Sequence, residues 1–186
     1  MNVSPSRSVT AIVCAAGKGE RAGFAKNKLL ERINGKTVLE RTLSAFDFSA
    51  VTEILVTASQ ADFAEISALC GRFPRTRAVL GGNTRFQSVF NALRQASGEL
   101  VLVHDGARPF VKTETICIAS VLQYGSGVCA VPAVDTIALT DGAGKIAEVP
   151  PRKDAFALQT PQGFYTAELL SAYEKAAAEK SGGYTD

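Results

Sequence analysis

Residues 10–21 read TAIVCAAGKGER, an apolar run that leads directly into a glycine-rich, positively charged segment. A short run of this kind, with β-branched residues at its centre, is typical of a strand covered on both faces, as in a parallel sheet. Similar runs recur at residues 53–58, 76–80, 100–104 and 128–131, with helical patterns between them. This alternation predicts a three-layer α/β/α domain with a mainly parallel sheet and right-handed crossovers.

The clearest helical signals are a capping box and an amphipathic stripe. Thr37 and Glu40 have the spacing at which a Thr hydroxyl and a Glu carboxylate accept from each other's backbone amides at a helix start. Phe86, Val89 and Leu93 recur at helical spacing and predict a helix with one apolar face. Further helical patterns cover residues 62–69, 113–124 and 166–180.

Residues 135–151 read DTIALTDGAGKIAEVPP and interrupt the alternation. Two short β-prone pieces flank a glycine-rich turn, which predicts a β-arm that projects from the sheet and is too short to have its own core. Because such an arm needs a surface to pack on, we expect a second copy of the chain to cover it and form a homodimer.

The composition is typical of a single globular domain over residues 1–186, with 46% hydrophobic and 20% charged residues. Twenty Lys and Arg against 18 Asp and Glu leave a net charge of +2, which argues against a nucleic-acid partner. Short apolar runs predict no membrane span and no secretory signal, so we expect a cytoplasmic protein. The single histidine, His104, excludes multi-histidine zinc sites. The cysteines lack CxxC spacing and are expected to be buried, reduced thiols: Cys14, Cys70, Cys117 and Cys129.

Ligands of open parallel sheets bind outside the carboxyl ends of the strands, so the segment after the first strand is a candidate anion site. Its glycines let backbone amides approach a ligand closely, and its basic side chains outnumber the single Glu20, a combination that suits a polyphosphate. The glycines also match a dinucleotide fingerprint, but the second strand ends in Thr57, Ala58 and Ser59 where that motif needs an acidic residue. A solvated basic loop is a further interpretation. The residues concerned are Gly17, Lys18, Gly19, Arg21, Lys26 and Lys28.

The segment after the third strand suits a flat ligand. Gly81 and Gly82 are expected to turn the chain sharply and to present backbone amides to a base. Asn83 or Thr84 is equally expected to serve only as the cap of the following helix.

The segment after the fourth strand suits a metal ion and a phosphate. Asp105, beside Gly106, is placed to hold Mg²⁺ through oxygen, and Arg108 to contact a phosphate with two parallel hydrogen bonds. The alternative is that Asp105 caps the next element. For His104 we favour a structural place in the core.

These segments, in this order, resemble the 2-C-methyl-D-erythritol 4-phosphate cytidylyltransferase family. The strings that carry the resemblance lie within residues 9–186: AAGKGERAG with NKLL, GGNTRFQSV, VHDGARPF, VPAVDTI, PPRK and LQTPQGF. The resemblance implies a Rossmann-like nucleotidyltransferase fold, a divalent cation such as Mg²⁺, and a homodimer joined by exchanged arms. It implies transfer of CMP from CTP to methylerythritol phosphate, which gives 4-diphosphocytidyl-2-C-methylerythritol and pyrophosphate in the non-mevalonate route to isoprenoids.

The resemblance also implies three groups of site residues. The first group wraps the triphosphate and contacts the cytidine: Ala15, Ala16, Gly17, Lys18, Gly19, Gly82, Asn83, Ser88 and Gly106. The second group is catalytic, with two transition-state cations and an arginine that holds the acceptor: Arg21, Lys28 and Arg152. The third group binds the acceptor, partly from the partner subunit, and its aspartate also binds the metal: Asp105, Arg108, Thr136 and Thr160.

The sequence departs from the family at defined places. Asn27 stands where the family usually has Pro, and we expect it to loosen the turn that presents Lys28. Asn83 replaces a frequent Asp, so we expect the base to be recognised through backbone amides. The family continues with a further strand and helix and a second acceptor-positioning lysine. We expect this C-terminal part of the family domain to be missing here, either because the sequence is truncated or because this form is incomplete.

The implied chemistry suits a chain with one histidine. A phosphomonoester has a second pKa of about 6, so near neutral pH it is a dianion that needs no general base. The obstacle is repulsion between two anions, which Arg21, Lys28 and Mg²⁺ would reduce. Alternatives are a ribitol 5-phosphate cytidylyltransferase, a non-catalytic nucleotide-binding module and a nicotinamide-dependent oxidoreductase.

Overall fold

The computed structural model describes residues 7–17, 27–48, 50–112 and 118–179. The strands in chain order are β1 (Val9–Cys14), β2 (Arg32–Ile33), β3 (Lys36–Thr37), β4 (Val51–Ala58), β5 (Thr76–Leu80), β6 (Leu100–Asp105), β7 (Ser126–Pro132), β8 (Leu139–Thr140), β9 (Ile146–Glu148) and β10 (Phe156–Tyr165). The helices are α1 (Val38–Phe46), α2 (Phe63–Cys70), α3 (Arg85–Leu93), α4 (Ile118–Tyr124) and α5 (Thr166–Ala178).

Six of the strands form the central sheet, in the order β5-β4-β1-β6-β10-β7. β1 pairs in parallel with β4 and β6, and β4 pairs in parallel with β5. β10 runs antiparallel between β6 and β7. The mainly parallel sheet predicted from the sequence is therefore confirmed, with one inserted antiparallel strand.

β10 is the strand that the apolar runs do not predict. Its residues include Pro161, which has no amide hydrogen to donate, and its register against β7 shifts between Leu158 and Gln162. Beyond the shift, Gly163 packs closely, because a Cβ there would lie 2.7 Å from a methyl carbon of Val121. Pairing with β6 and β7 thus imposes the strand on a segment whose centre, residues 159–162, is polar and contains a proline.

Helices cover both faces of the sheet. On one face, Ala11 and Val13 of β1 pack with buried side chains of α1, α2 and α4. On the other face, Ile12 packs with Val89 of α3, and α5 lies against the same cluster through Leu170. Because successive side chains of a strand point to opposite faces, the continuous apolar run of β1 supplies both cores of a three-layer domain.

The capping box of α1 forms as predicted. The Thr37 hydroxyl accepts from the Glu40 amide at 3.0 Å, and Glu40 Oε2 accepts from the Thr37 amide at 2.6 Å. The amide hydrogen bond from Thr37 lowers the pKa of the buried Glu40 carboxyl, with help from Arg72 at 2.6 Å. For α3, Thr84 is the cap, accepting from the Gln87 amide at 3.1 Å. The predicted helix over 113–124 is described only from Ile118 onward.

The cysteines only partly match the expectation of burial. Cys70 is buried, which raises the pKa of its thiol to about 11. Cys14 and Cys129 are half-buried, and Cys117 lies outside the described residues. None of the three described cysteines forms a disulfide. Within the described ranges, no helix has the length and apolarity that crossing a bilayer requires.

Within residues 135–151, β8 and β9 pair as a short antiparallel ribbon, with Leu139 opposite Glu148 and Thr140 opposite Ile146. Asp141 closes the turn by accepting from the amides of Ala143 and Lys145 at 2.9 Å and 3.2 Å. Leu139 and Ile146 are 50% and 67% exposed in the single chain. The ribbon therefore places apolar side chains in solvent.

Candidate active site

The carboxyl ends of the parallel strands meet at one edge of the sheet. Cys14, the last residue of β1, stands in register with Thr57 of β4 and Asp105 of β6. Ala58 likewise stands opposite Leu80 at the end of β5. The segments that follow these strands are therefore neighbours, and we call this region the carboxyl edge.

The first segment at the carboxyl edge begins inside the sheet. The Ala15 amide donates to the Thr57 carbonyl at 3.1 Å, so Ala15 still continues the strand pairing. Ala16 is half-buried and Gly17 is exposed, and neither amide is a donor in the hydrogen bonds of the described residues. The predicted site residues Lys18, Gly19 and Arg21 lie outside the described residues.

Asn27 fixes the turn that presents Lys28. Its side-chain oxygen accepts from the Leu29 amide at 3.1 Å, and its side-chain nitrogen donates to the Ala15 carbonyl at 3.1 Å and to Asp62 at 3.0 Å. These bonds attach the short 3₁₀-helix Lys28–Leu30 to the end of β1, with Lys28 exposed. The expectation that Asn27 loosens this turn is wrong, because its amide group makes contacts that a proline ring cannot make.

The segment after β5 uses its backbone amides internally. Gly81 donates to the Ala58 carbonyl at 2.8 Å, Gly82 to the Ser88 hydroxyl at 3.0 Å, and Asn83 to the Gln87 side chain at 2.8 Å. The expectation that these amides face a base is therefore corrected. Ser88, which is buried, orders the loop by also donating to the Thr84 carbonyl at 2.9 Å.

The glycines of this segment are required by close packing. A Cβ on Gly81 would lie 2.7 Å from the Ala16 methyl carbon and 2.9 Å from the Ser88 hydroxyl. A Cβ on Gly82 would lie 2.3 Å from the Gln87 Cβ. The segments after β1 and β5 therefore touch directly and form one wall of the carboxyl edge.

Asp105 is the centre of a charged cluster. Its Oδ1 accepts from Arg85 Nη2 at 3.0 Å, and its Oδ2 accepts from Arg108 Nε at 3.0 Å. Its amide donates to the Thr160 hydroxyl at 3.2 Å, and Arg108 also contacts the Gln159 side chain. Burial acts to raise the pKa of the Asp105 carboxyl, but the two arginines bring the pKa below its usual value. Asp105 is therefore an ionised carboxylate at neutral pH.

The structure brings together the predicted residues Asp105, Arg108 and Thr160 and adds Arg85, which the sequence reasoning missed. The signal for Arg85 was its place as the first residue of α3, directly after the cap Thr84. That position directs a long side chain toward the carboxyl edge, where the preceding loop already lies.

His104 packs in the core, as predicted. It is fully buried, its ring centroid lies 4.9 Å from that of Phe46, and its Nε2 lies 3.1 Å from the Arg108 carbonyl oxygen. Burial lowers the pKa of the imidazole, so His104 is neutral at pH 7 and donates from Nε2 to that carbonyl. Its contact supports the turn that carries Arg108.

Gly106 packs tightly between β1 and α1. Its amide donates to the Cys14 carbonyl at 3.0 Å, and its carbonyl accepts from the Thr42 hydroxyl at 2.8 Å. A Cβ at this position would lie 2.8 Å from the Cys14 carbonyl oxygen. A side chain here would therefore push the Asp105 turn away from the strand.

Thr136 and Arg152 lie at the base of the ribbon. Both are exposed, and Arg152 Nη2 donates to the Thr136 hydroxyl at 3.4 Å. Arg152 begins the short 3₁₀-helix Arg152–Asp154 that follows the ribbon. In the part of the chain that the structure describes, this pair makes no hydrogen bond or ion pair with the Asp105 cluster.

A divalent cation at this edge would meet the carboxylate of Asp105. Among the described residues, no group of three or more His, Cys, Asp or Glu side chains is placed to hold a metal. Each Asp105 oxygen accepts one arginine hydrogen bond and keeps a second acceptor site. Since Mg²⁺ is commonly held by one or two carboxylates together with substrate phosphates and water, Asp105 fits a cation that arrives with a nucleotide.

Comparison with known proteins gives consistent matches. Residues 9–186 match the family described as 2-C-methyl-D-erythritol 4-phosphate cytidylyltransferase. An enzyme of that name from Bacillus mycoides is 39% identical over 174 residues, covering 90% of this chain and 76% of the relative. The structure of the Anaerococcus prevotii 4-diphosphocytidyl-2C-methyl-D-erythritol synthase superimposes with a TM-score of 0.82 at 28% identity, covering 96% of this chain and 79% of that one. The Thermus thermophilus cytidylyltransferase gives a TM-score of 0.71 at 32% identity, with coverages of 96% and 80%.

Proposed function

Because the chain belongs to the 2-C-methyl-D-erythritol 4-phosphate cytidylyltransferase family, we propose how its residues divide the work of that family's reaction. The protein is a CTP-dependent nucleotidyltransferase of isoprenoid precursor biosynthesis. It transfers CMP from CTP to 2-C-methyl-D-erythritol 4-phosphate, giving 4-diphosphocytidyl-2-C-methylerythritol and pyrophosphate. The observation that carries this conclusion is the family match over residues 9–186.

The reaction requires neutralisation of charge more than removal of a proton. Near pH 7 the acceptor phosphate is already largely a dianion, because its second pKa is about 6. The buried, neutral His104 is accordingly given no catalytic role here. We assign the transition-state cations to Arg21 and Lys28, whose positive charges would act on the α-phosphate. The exposed place of Lys28 next to the end of β1 supports this assignment.

For the nucleotide, we assign the triphosphate to the amides of Ala16, Gly17 and Gly19 and to Lys18. Ala15 shapes this segment from within the sheet, since its amide is bound to Thr57.

For the base, the internal use of the Gly82 and Asn83 amides favours their carbonyl oxygens as acceptors for the exocyclic amine of cytosine. Ser88 would hold that loop in shape, and Gly106 would let the nucleotide approach the Asp105 turn.

For the acceptor, we assign Asp105, Arg108 and Thr160, which already touch one another in the single chain. Asp105 would also hold the divalent cation, which when bound neutralises phosphate charge. Thr136 and Arg152 would hold the acceptor phosphate from the partner subunit of a homodimer. The exposed apolar side chains of the ribbon beside them support a partner that covers this region. We expect the enzyme to act in the cytoplasm.

The assay that tests this proposal measures pyrophosphate release with CTP and Mg²⁺. Methylerythritol phosphate and ribitol 5-phosphate are supplied in separate reactions at matched concentrations. We expect turnover with the first acceptor to exceed turnover with the second by at least about hundredfold, since a site built to hydrogen-bond its substrate rejects a poor fit strongly. Preference for ribitol 5-phosphate would overturn the acceptor assignment. Calorimetric binding of CTP without pyrophosphate release from either acceptor would indicate a non-catalytic nucleotide-binding module.

A further inference from the structure

The Asp105 carboxylate is held by two arginines from different elements. Arg85 binds Oδ1 and Arg108 binds Oδ2, each at 3.0 Å. The Asp105 side chain is 33% exposed, so its charge is partly removed from water. The charge-assisted hydrogen bonds from the two arginines fix the orientation of such a half-buried carboxylate.

The two arginines differ in how firmly they are held. Arg85 is 25% exposed and begins α3, and Arg108 is 45% exposed and lies in the turn after β6. Arg108 binds Asp105 only through Nε, so part of its guanidinium extends toward Gln159 and solvent. Because Arg108 is the more exposed of the two, it is the arginine that we expect to turn toward a phosphate, and Arg85 is the one that we expect to stay.

The backbone that carries Arg85 is unusually well anchored. Thr84 caps α3, the Ser88 hydroxyl binds the Gly82 amide, and the Gln87 side chain binds the Asn83 amide. Gly81 packs against Ala16 on the neighbouring segment. The start of α3 is thus attached to both loops assigned to the nucleotide.

We propose that Arg85 is a positioning residue that keeps the Asp105 carboxylate paired and oriented while Arg108 turns to the acceptor phosphate. This inference rests on the proposed function of the Asp105 site. Without Arg85, Arg108 has to stay on Asp105 or leave the carboxylate to the divalent cation alone, so Arg108 is less available to the acceptor phosphate.

The test compares Arg85→Gln, Arg85→Lys and the control Arg94→Gln in the full chain. Arg94 lies at the exposed end of the same helix, over the Phe90 ring, so its substitution removes the same charge away from the site. For Arg85→Gln we expect the KM for methylerythritol phosphate to rise about tenfold to hundredfold, because the variant loses one charged hydrogen bond. The KM for CTP should rise much less, because the loops assigned to the nucleotide keep their own hydrogen bonds to Gln87 and Ser88. Arg85→Lys should raise the KM for methylerythritol phosphate less than Arg85→Gln does, and Arg94→Gln should have the same KM values as the wild type.

A double-mutant cycle separates positioning from a merely structural role. Calorimetry measures the affinity for methylerythritol phosphate, with a non-hydrolysable CTP analogue present, in the wild type, Arg85→Gln, Asp105→Asn and the double variant. Because Arg85 acts through Asp105, we expect Arg85→Gln to change the affinity of Asp105→Asn by less than about twofold, the usual error of additivity. Additive losses would overturn the proposal. So would equal rises in both KM values, or an Arg85→Gln variant that binds the acceptor normally.

The proposed function is tested separately by the wild type. A wild type that turns over ribitol 5-phosphate instead overturns the acceptor assignment, and the same comparison is then made with that acceptor. Melting temperatures are recorded for every variant. A variant whose acceptor affinity falls while its melting temperature is unchanged supports positioning, and loss of affinity that only follows loss of folded protein overturns it.

Discussion

The carboxyl edge and the ribbon of β8 and β9 differ in how well their side chains find partners within one chain. At the edge, Asp105 has two arginine partners and the loops are bound to one another through side chains such as Asn27 and Ser88. On the ribbon, Leu139 and Ile146 remain in solvent. Both regions carry residues assigned to one reaction. We propose that the edge is organised within one subunit and that a second subunit covers the ribbon.

The largest effect should come from a cation at the edge. We expect Lys28→Ala to lower kcat by about 10²–10³-fold, as when one preorganised donor to a transition-state charge is removed. CTP affinity should fall much less, because the charge that Lys28 stabilises is greatest in the transition state. Single-turnover pyrophosphate release and CTP calorimetry measure the two effects. Lys175→Ala, on α5, is the control, and equal losses of rate and affinity would make Lys28 a nucleotide anchor.

The next effect concerns the ribbon. We expect the pair Leu139→Glu and Ile146→Glu to weaken dimerisation by more than about hundredfold, since burying each such side chain contributes about 1.5–3 kcal/mol. Sedimentation equilibrium over a range of concentrations gives the dimer dissociation constant. Ala143→Glu adds charge at the turn of the ribbon and should leave the dimer intact. A wild type that stays monomeric at high concentration would contradict the proposal that a second subunit covers the ribbon.

A smaller effect is expected at the base of the ribbon. Arg152→Ala should raise the KM for methylerythritol phosphate about tenfold, the value of one charged hydrogen bond, and leave CTP affinity nearly unchanged. Lys153→Ala, the neighbouring exposed cation, is the matched control. Initial rates with each substrate varied in turn give both constants. If CTP affinity falls and acceptor KM does not, Arg152 belongs to the nucleotide site.

The sequence predicted what depends on local pattern. Five apolar runs became strands, the capping box of Thr37 and Glu40 formed, and His104 packed in the core. The predictions failed where residues that are distant in the sequence decide the structure. The centre of β10, residues 159–162, is polar, and the strand lies between β6 and β7. The Gly82 amide donates to Ser88, which becomes its neighbour only when α3 has formed.

The same limit applies to the site. That Asp105 and Arg108 act together could be predicted from one motif, because they lie on one turn. For Arg85 the sequence gives only its place at the start of α3. Its partner is not visible there, because Arg85 meets Asp105 only after the central strands align their carboxyl ends. Residues 18–26, which include Arg21, lie outside the described residues, so their assignment still rests on the family.

Asn27 shows most clearly how a distant contact escapes prediction, because the sequence alone suggests a loosened turn. Its partners Ala15 and Asp62 lie 12 and 35 residues away in the chain, so no local pattern reveals them. We expect Asn27→Ala to lower the free energy of unfolding by about 1–3 kcal/mol, because buried hydrogen-bonding partners lose their contacts. Asn27→Pro should lower the free energy of unfolding slightly less than Asn27→Ala does. The φ of −60° at this position already suits proline, and the stiffer unfolded chain restores about 0.4–1 kcal/mol. Urea denaturation of both variants measures the difference. If Asn27→Pro is as stable as the wild type, the side-chain bonds of Asn27 contribute little, and the turn that presents Lys28 is held by its backbone alone.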